Sequence, residues 1–515
     1  PTLNFISKIK GFRMDARPIP YSKVVWDACK TTFGTSDDII DGLKQFTRPA
    51  RKLSTLYNMI SNYERPKMDF KRDDRIWNET LEKVTRDFNI GEKVPMTHLN
   101  DIRETDLTLN TSPGYPWVYQ YSDKRECLEQ ARFEARKAAH YIKEQKPYSF
   151  PPAMIYTRSQ ISQRTGKKKL RGVWCCPFER LLMEHSVFGN WINKMRTVGT
   201  TPNAYKYTIY HQGWSKLHKD LWDAGANSGS TIVGTDFSAY DTSLPPWLIR
   251  TAHKIIEDQI DFTRYQYRGH PQEERSKRLA RRLLREVINT KFLMPDGYVW
   301  EKETGVDTGS VVFQRYEDIC TALIVNYVSK VCTGDFPIFY SVLGDDSIMV
   351  MPGKSSVDFE HWQRVCLEAF GITLRPDKCY QTNDIKKAEF LGRFVNDGTA
   401  KRKTAALVLS ALYPEKPELS EFDTAQRIVA LMYENCFSNQ VVTIFLNKCW
   451  KKLSPETRFA CEGGEIEWND KFKKMFKLMG LTSNPKCKPP TTEQLFWLVN
   501  SPPGSEPPDV FTILR

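Results

Sequence analysis

Residues 340–350 read YSVLGDDSIMV. Apolar, β-favouring residues flank a single glycine and two adjacent aspartates, Asp345 and Asp346. The pattern predicts two antiparallel strands, Pro337 to Leu343 and Ser347 to Val350, joined by a Gly-Asp-Asp turn. An unperturbed Asp titrates near ~3.9, so both carboxylates are ionised at neutral pH and repel each other. Cations that neutralise them remove this cost. Hard divalent ions suit the task, because they take oxygen ligands and share substrate phosphates. The simpler alternative is a surface hairpin with a polar tip, since Asp is common in turns. The triplet alone does not separate the two.

A second source of carboxylates lies upstream. The β-favouring run Ser230 to Thr235 ends at Asp236, and Asp241 follows shortly. A site that holds two cations ~3.5–4 Å apart draws its acids from separate chain segments. If this strand neighbours the hairpin, Asp236 and Asp345 meet at one edge. Pro245-Pro246 opens a predicted helix, because proline is tolerated in a first turn. Its apolar stripe includes Leu248, Ala252, Ile255 and Ile256. Asp241 therefore fits a helix N-cap equally well.

The same region continues with regular signals. Leu279, Leu283, Leu284, Val287 and Ile288 recur at helical spacing, with arginines on the other face. Met294 to Tyr298 reads as a hairpin turn. Thr308-Gly309-Ser310 leads into a long helix with Cys320, Leu323, Ile324, Tyr327, Val328 and Val331 on one face. A further amphipathic helix turns Phe359, Trp362, Cys366 and Phe370 inward. The order strand, helix, helix, hairpin, helix is an α+β unit on an antiparallel sheet. From about residue 400 the pattern is helical, with Ile428, Leu431 and Met432 as a core stripe. The proline-rich C-terminal stretch (Lys488-Pro489-Pro490, Ser501-Pro502-Pro503, Pro507-Pro508) predicts an extended tail rather than a packed element.

Composition narrows the partner. Net charge is +13 with a pI near 9.0. That favours a polyanion, nucleic acid before an acidic membrane surface. The 12 cysteines form no C-x-x-C pair, which points to free thiols in a reducing compartment. The start of the sequence shows no signal-peptide pattern. The longest uncharged apolar stretch, Ile319 to Ser329, falls short of the ~20 residues that cross a bilayer. A soluble, intracellular protein is expected.

The set Asp236-x4-Asp241, Thr308-Gly309-Ser310 and Gly344-Asp345-Asp346, in this order and spacing, resembles the palm of viral RNA-dependent RNA polymerases. Thr111-Ser112-Pro113-Gly114-Tyr115-Pro116-Trp117 is similar to the family's template-guiding segment. Lys169-Leu170-Arg171-Gly172-Val173-Trp174, with Pro177 after it, is similar to the basic segment that admits nucleotides. Phe370-Gly371-Ile372 through Pro376-Asp377-Lys378 resembles the segment that carries a lysine general acid. Phe390-Leu391-Gly392-Arg393 resembles the primer-grip hairpin. These matches run from about residue 110 to 395. Together they are most like polymerases of double-stranded RNA viruses of the picobirnavirus and partitivirus type. Two departures stand out. Thr308-Gly309 replaces the usual Ser-Gly, with a hydroxyl retained. Phe313 and Glu317 occupy positions often held by Thr and by a ribose-sensing Asn, so sugar selection falls to Asp241 with Thr308 or Ser310.

The resemblance implies an α+β right hand. Fingers take 1–215 and an insert at 255–298, an antiparallel-sheet palm takes 216–254 and 299–398, and a helical thumb with the tail takes 399–515. It implies Mg²⁺, with Mn²⁺ as the alternative, held by Asp236, Asp345 and Asp346 and by the Phe237 carbonyl. Lys378 becomes the acid that protonates pyrophosphate, although a surface loop lysine is its bland reading. Lys169, Arg171, Asp241, Thr308, Gly309 and Ser310 meet the nucleotide, while Lys167 and Lys168 read equally well as a solvated loop. Thr111, Ser112 and Gly114 guide the template. Partners are RNA template and product, NTPs and a viral capsid protein, with no membrane. The protein is a monomer in the virion interior and host cytoplasm. The tail either gates the cavity, anchored by Phe496, Trp497 and Phe511, or docks to a capsid. Two competing readings remain. A reverse transcriptase shares the palm, but usually has a bulky residue in place of Asp241. A basic RNA-binding structural protein needs no catalytic acid at all.

Overall fold

The computed structural model describes residues 2–34, 37–166, 170–353, 356–464 and 466–508. Lys167, Lys168 and Lys169 lie outside the described residues, as does Phe511. Strand β1 (Leu3–Lys8) precedes helices α1 (Asp74–Asp87) and α2 (Leu128–Lys143). Strands β2 (Ala153–Ser159) and β3 (Leu170–Cys175) follow, then the buried helix α3 (Phe178–Thr197). Strand β4 (Thr231–Thr235) leads to α4 (Pro246–Glu257), α5 (Glu273–Ile288) and the pair β5 (Lys291–Leu293) and β6 (Tyr298–Lys302). Helix α6 (Phe313–Thr333), the hairpin β7 (Phe339–Leu343) and β8 (Asp346–Met351), helix α7 (Phe359–Phe370) and β9 (Tyr380–Thr382) complete the α+β part.

Local chemistry accounts for these ends. Pro246 sits in the first turn of α4, where its missing N–H costs nothing. The N-cap of that helix is Pro245, so Asp241 is not its cap. Asp358 caps α7 by accepting the Glu360 and His361 amides, and Gly371 ends it at φ 69°.

The central sheet has the order β7-β8-β4-β9, antiparallel throughout. Thr231 faces Met351 and Thr235 faces Ser347. Side chains alternate between two cores. Val233, Met349 and Met351 join the core under α4, α6 and α7, whereas Ile232, Ile348 and Val350 join the core shared with the C-terminal helices. The sheet is therefore buried on both faces, which fixes its register. The fourth strand, β9, carries no sequence signal beyond one aromatic and two polar residues. It fits because Gly234 opposite has no side chain: a Cβ there would lie 2.2 Å from the Tyr380 ring.

A second sheet has the order β1-β6-β5-β2-β3. It brings the N-terminal strand, the predicted Met294–Tyr298 turn and the basic strand β3 into one layer. The C-terminal part is helical: α8 (Thr404–Leu412), α9 (Glu421–Asn435), α10 (Gln440–Lys452), α11 (Pro455–Glu462), α12 (Asp470–Met479) and α13 (Thr492–Asn500). N-terminal residues tie the two parts together. The Ser22 amide donates to Leu412, and Tyr413 Oη donates to the carbonyls of Leu43 and Phe46.

Three expectations need correction or adjustment. The C-terminal stretch is not wholly extended, because α13 buries Leu495, Leu498 and Val499. Thr491 and Gln494 form a capping box, and the proline pairs merely bound the helix on both sides. The boundary expected at 254–255 falls inside α4, and that at 215–216 falls inside the helix Gly213–Asp223. Among the described residues no helix is long and apolar enough to cross a membrane. All twelve cysteines are free.

Candidate active site

The β4–β8 register decides where the acids meet. Thr235 and Ser347 face each other with hydroxyls 2.6 Å apart. One residue further along each strand stand Asp236 and Asp346, with Asp345 at the turn. Asp345 and Asp346 are exposed at the tip. Desolvation, then Asp241 and Asp236, push the Asp345 carboxyl up to about 6. Desolvation, then Asp345 and Asp236, push Asp346 up to about 7. The charge of Arg171 counters both shifts.

The tip is held from below by α6. Gly344 adopts φ 61°, its amide donates to Asp318 Oδ1 at 2.7 Å, and its carbonyl accepts from Thr321 Oγ1 at 2.7 Å. Asp318 is itself paired with buried Arg315 at 3.0 Å and accepts from Asn203 at 2.8 Å.

Asp241 lies in a short turn, Tyr240–Ser243, whose backbone is pinned by the Val306 amide at 2.9 Å. Glu317 faces it from α6. Burial raises the Glu317 carboxyl far above its ordinary range, and Asp241 and Asp345 add to the shift. The Glu317 carboxyl is thus buried beside two further acids, Asp241 and Asp345.

Strand β3 organises the remaining predicted residues. Arg171 is exposed, and Arg158 of β2 stands directly opposite it in the ladder. Like charges directly opposed across a sheet are unfavourable without an anion or a carboxylate nearby. Glu415 supplies a carboxylate to Arg158. At the end of β3, Cys175 and Cys176 separate two loops. On one side Cys175 donates to the Ser112 carbonyl at 3.4 Å, and a Cβ on Gly114 would come within 3.2 Å of the Cys176 carbonyl. Ser112 Oγ also meets Tyr156 Oη at 3.3 Å, and Lys124 donates to Thr111 Oγ1 at 2.9 Å.

On the other side, a Cβ on Gly309 would lie 2.4 Å from the Trp174 carbonyl, so only glycine lets this loop close on β3. Beneath it runs a buried network. Arg180 bridges Glu184 at 2.8 Å and Asp307 at 2.9 Å. Asp307 accepts the Ser310 amide, and Glu184 accepts both Ser310 Oγ at 2.8 Å and the Val311 amide at 2.7 Å. The Ser310 hydroxyl is thus enclosed and engaged by Glu184, while Thr308 is half-buried at the loop surface.

A turn after α7 completes the site. The Arg375 amide donates to the Asp236 carbonyl at 2.9 Å, and Arg375 Nε lies 3.5 Å from Asp236 Oδ1. Lys378 closes the same turn by donating its amide to Arg375, with an exposed side chain. Phe237 is buried against Tyr240. Sequence reasoning missed Arg158, Arg375 and the Arg180–Glu184–Asp307 network, because each becomes meaningful only through register or a distant contact.

The profile of the viral RNA-dependent RNA polymerase family matches residues 37–449. The chain belongs to that family. Its activity is RNA-directed RNA synthesis in viral genome replication. The RNA-directed RNA polymerase of Cryptosporidium parvum virus 1 (strain KSU-1) is 23% identical over 415 residues, 76% of this chain and 74% of that protein. The genome polyprotein of Ljunganvirus 1 is 22% identical over 347 residues, 63% of this chain but only 14% of the polyprotein. The crystal structure of a human picobirnavirus RNA-dependent RNA polymerase superposes with a TM-score of 0.65 at 14% identity, covering 90% of this chain and 89% of the other. Its insertion-loop deletion mutant gives 0.63, with 91% and 92% covered. The family resemblance carried by the motifs is borne out.

Polymerases of this family generally use divalent metals. The donors of this polymerase fit such an ion by chemistry, being hard carboxylate oxygens from neighbouring strands. Among the described residues no three His, Cys, Asp or Glu side chains form a ready-made cage. Asp236 instead leans on Arg375.

Proposed function

We propose that the Asp236–Asp345–Asp346 edge is where the polymerase joins nucleotides to an RNA 3′-OH. The β4–β8 register carries this reading, because it alone brings acids from distant segments together. Asp236, Asp345 and Asp346, with the Phe237 carbonyl, would hold Mg²⁺, or Mn²⁺ in its place. The ions supply a lowered pKa for the 3′-OH and charge neutralisation for the triphosphate.

The chain's own residues do the positioning. Arg171 offers a guanidinium fork to the triphosphate, and Arg158 opposite it extends the same cationic face. Lys169 joins them in this reading, from outside the described residues. Asp241 accepts the ribose 2′-OH, the group that separates RNA from DNA. Glu317, buried beside Asp241, borders the same position. Thr308 and Gly309 border the sugar, and Ser310 fixes their loop from within. Lys378 Nζ gives a proton to the departing pyrophosphate. Thr111, Ser112 and Gly114 guide the template past β3. A hollow of about 400 Å³ beside them, lined by Asn110, Arg125, Lys473 and Lys474, continues that path toward α12.

In the right-hand reading, the β1-β6-β5-β2-β3 layer with α2, α3 and α5 forms the fingers. The central sheet with α4, α6 and α7 forms the palm, and α8–α13 form the thumb. The N-terminal ties to α8 and the following turn close the hand into a ring, through which RNA and NTPs pass. A capsid protein is the proposed viral partner, and the enzyme works as a monomer in the virion interior and the host cytoplasm.

Primer extension on a defined RNA tests the site. Asp345→Asn and Asp236→Ala are expected to abolish extension while RNA binding persists. Normal extension by Asp345→Asn would remove the metal assignment. A strong preference for dNTPs over rNTPs would instead favour a reverse transcriptase.

A further inference from the structure

Helix α5 reads EERSKRLARRLLREVI. One side is apolar: Leu279, Leu283, Leu284, Val287 and Ile288 are buried against α2, α3 and α4. The other side carries Arg275, Lys277, Arg278, Arg281, Arg282 and Arg285, and nothing in the active site uses them. Hydrophobic packing explains the first set. It does not explain why six bases face only Glu273, Glu274 and Glu286 on the same helix.

Three adjoining hollows follow this side. The first, about 750 Å³, is bordered by Arg278 and Arg282. The second, about 100 Å³, shares Arg282 and adds Arg285 and Lys291, with Glu286 and Glu301 also on its wall. The third, about 410 Å³, shares Arg285 and adds Arg281, together with Arg250 and Lys254 from α4. Shared wall residues set the three side by side along one track. A helix of this length spans ~24 Å, enough for several consecutive phosphates.

Charge balance separates this track from an ordinary salt-bridged surface. Arg278 and Arg282, Arg281 and Arg285, and Arg250 and Lys254 are like charges four residues apart, an arrangement that destabilises a helix. Carboxylates offset some of this. Glu286 takes Arg282 at 2.7 Å, Glu257 takes Arg281 at 3.1 Å, and Asp258 pairs with Lys254. Arg250 and Arg285 form no ion pair with any described residue, and both border the third hollow. His253 and Glu257 close its floor, bonded to each other at 2.9 Å, so Glu257 is already committed to His253 and Arg281. The third hollow is thus concave and short of anions, with Arg250 and Arg285 unpaired on its wall.

Its place rules out the catalytic channel. Helix α5 packs on α4, and α4 packs on α6, which faces Asp345. Helix α6, a layer of ~8–10 Å, stands between this face of α4 and the aspartates.

We propose that this outer track, centred on Arg250 and Arg285, binds the phosphodiester backbone of RNA outside the catalytic channel. The polymerase family supplies the polyanion, and the track holds template or product that extends beyond the site of synthesis. Recognition is by charge, so it is sequence-independent and salt-sensitive.

The test uses the full chain and two labelled single-stranded RNAs, one of about 40 nucleotides and one of about 10, with fluorescence anisotropy across a salt series. Arg250→Glu/Arg285→Glu is expected to weaken binding of the long RNA about tenfold or more at 0.1 M salt. The slope of log K against log salt should become shallower by about 1.4, the value for two lost single-strand phosphate contacts. Arg250→Lys/Arg285→Lys should bind like wild type, because charge is retained. Primer extension on a short duplex should be unchanged in both variants, which shows an intact fold and channel. Unchanged affinity and slope for the long RNA would overturn the proposal. So would lost extension on the short duplex, which would place these arginines in the channel. Free NTP displacing the long RNA at stoichiometric concentrations would assign the track to nucleotides instead.

Discussion

Asp318 accepts the Gly344 amide at 2.7 Å, one residue before the paired aspartates. The same carboxylate is ion-paired with Arg315, and both side chains are almost wholly buried. The bond thus couples the rigid helix α6 to the tip that presents Asp345. Asp318→Ala removes the acceptor and leaves Arg315 buried without its partner. Such a break costs about 3–5 kcal/mol. Urea unfolding should show a loss of that size, and kcat at 20 °C should fall in the protein that remains folded. A variant with wild-type stability and kcat would mean that the turn is held by its own backbone.

Ser310 offers a sharper distinction. Its hydroxyl donates to Glu184 within the Arg180–Asp307 network. A hydroxyl that touched the nucleotide would, when removed, raise KM for NTP and leave Tm alone. The buried arrangement predicts the reverse. Ser310→Ala should lower stability by about 1.5–3 kcal/mol, the usual worth of a hydrogen bond to a charged group. Thermal unfolding and a KM–kcat comparison on one preparation separate the two. Glu184→Gln should cost more, because it also strips Arg180 of a charge.

How much of this was legible beforehand follows from range along the chain. The Tyr340–Val350 hairpin, α4, α5 and α6 all showed in the sequence, because period and turn chemistry are local signals. Asp236 beside Asp346 was reachable by assuming two strands adjacent. The cap alternative for Asp241 fails, since Pro245 holds that position in the structure. Glu317 was visible as a departure, yet its contact with Asp241 needed the packing of α6. Arg158 opposite Arg171 needed the β2–β3 register, which no local pattern encodes. The packed helix α13 was masked by its own flanking prolines, although its Thr491 and Gln494 capping box was readable.

His185 gives a pH signature independent of the active site. Burial, with lesser help from Lys124 and Arg196 and against Asp106, holds its imidazole down to about 4. The unfolded chain protonates this group near ~6.5, so it binds more protons than the folded chain between those values. Stability is therefore complete above the unfolded value and declines as pH falls toward about 4. His185→Gln should remove on the order of 2–3 kcal/mol of that acid-side loss. Urea midpoints at pH 7 and pH 4.5 for both proteins measure the difference. Parallel declines would show that the ring protonates freely in the folded state.

Helix α13 holds a strained segment in place. His211 and Gln212 are non-glycine residues at φ 54° and 63°, a region that costs about 1–2 kcal/mol per residue. Their amides donate to Leu498 at 2.7 Å and Val499 at 2.9 Å, and His211 Nδ1 meets Ser501 Oγ at 3.0 Å. Without the helix these amides lose their partners and the strain loses its compensation. Leu498 is almost fully buried, so Leu498→Ala should cost about 2–5 kcal/mol. Truncation after Pro490 should go further and release the 211–212 backbone. Hydrogen exchange at His211 and Gln212 should then accelerate by orders of magnitude, while amides of β4 and β8 stay protected. Equal protection in the truncated chain would show that the 210–212 turn is set by its own sequence and that α13 merely rests on it.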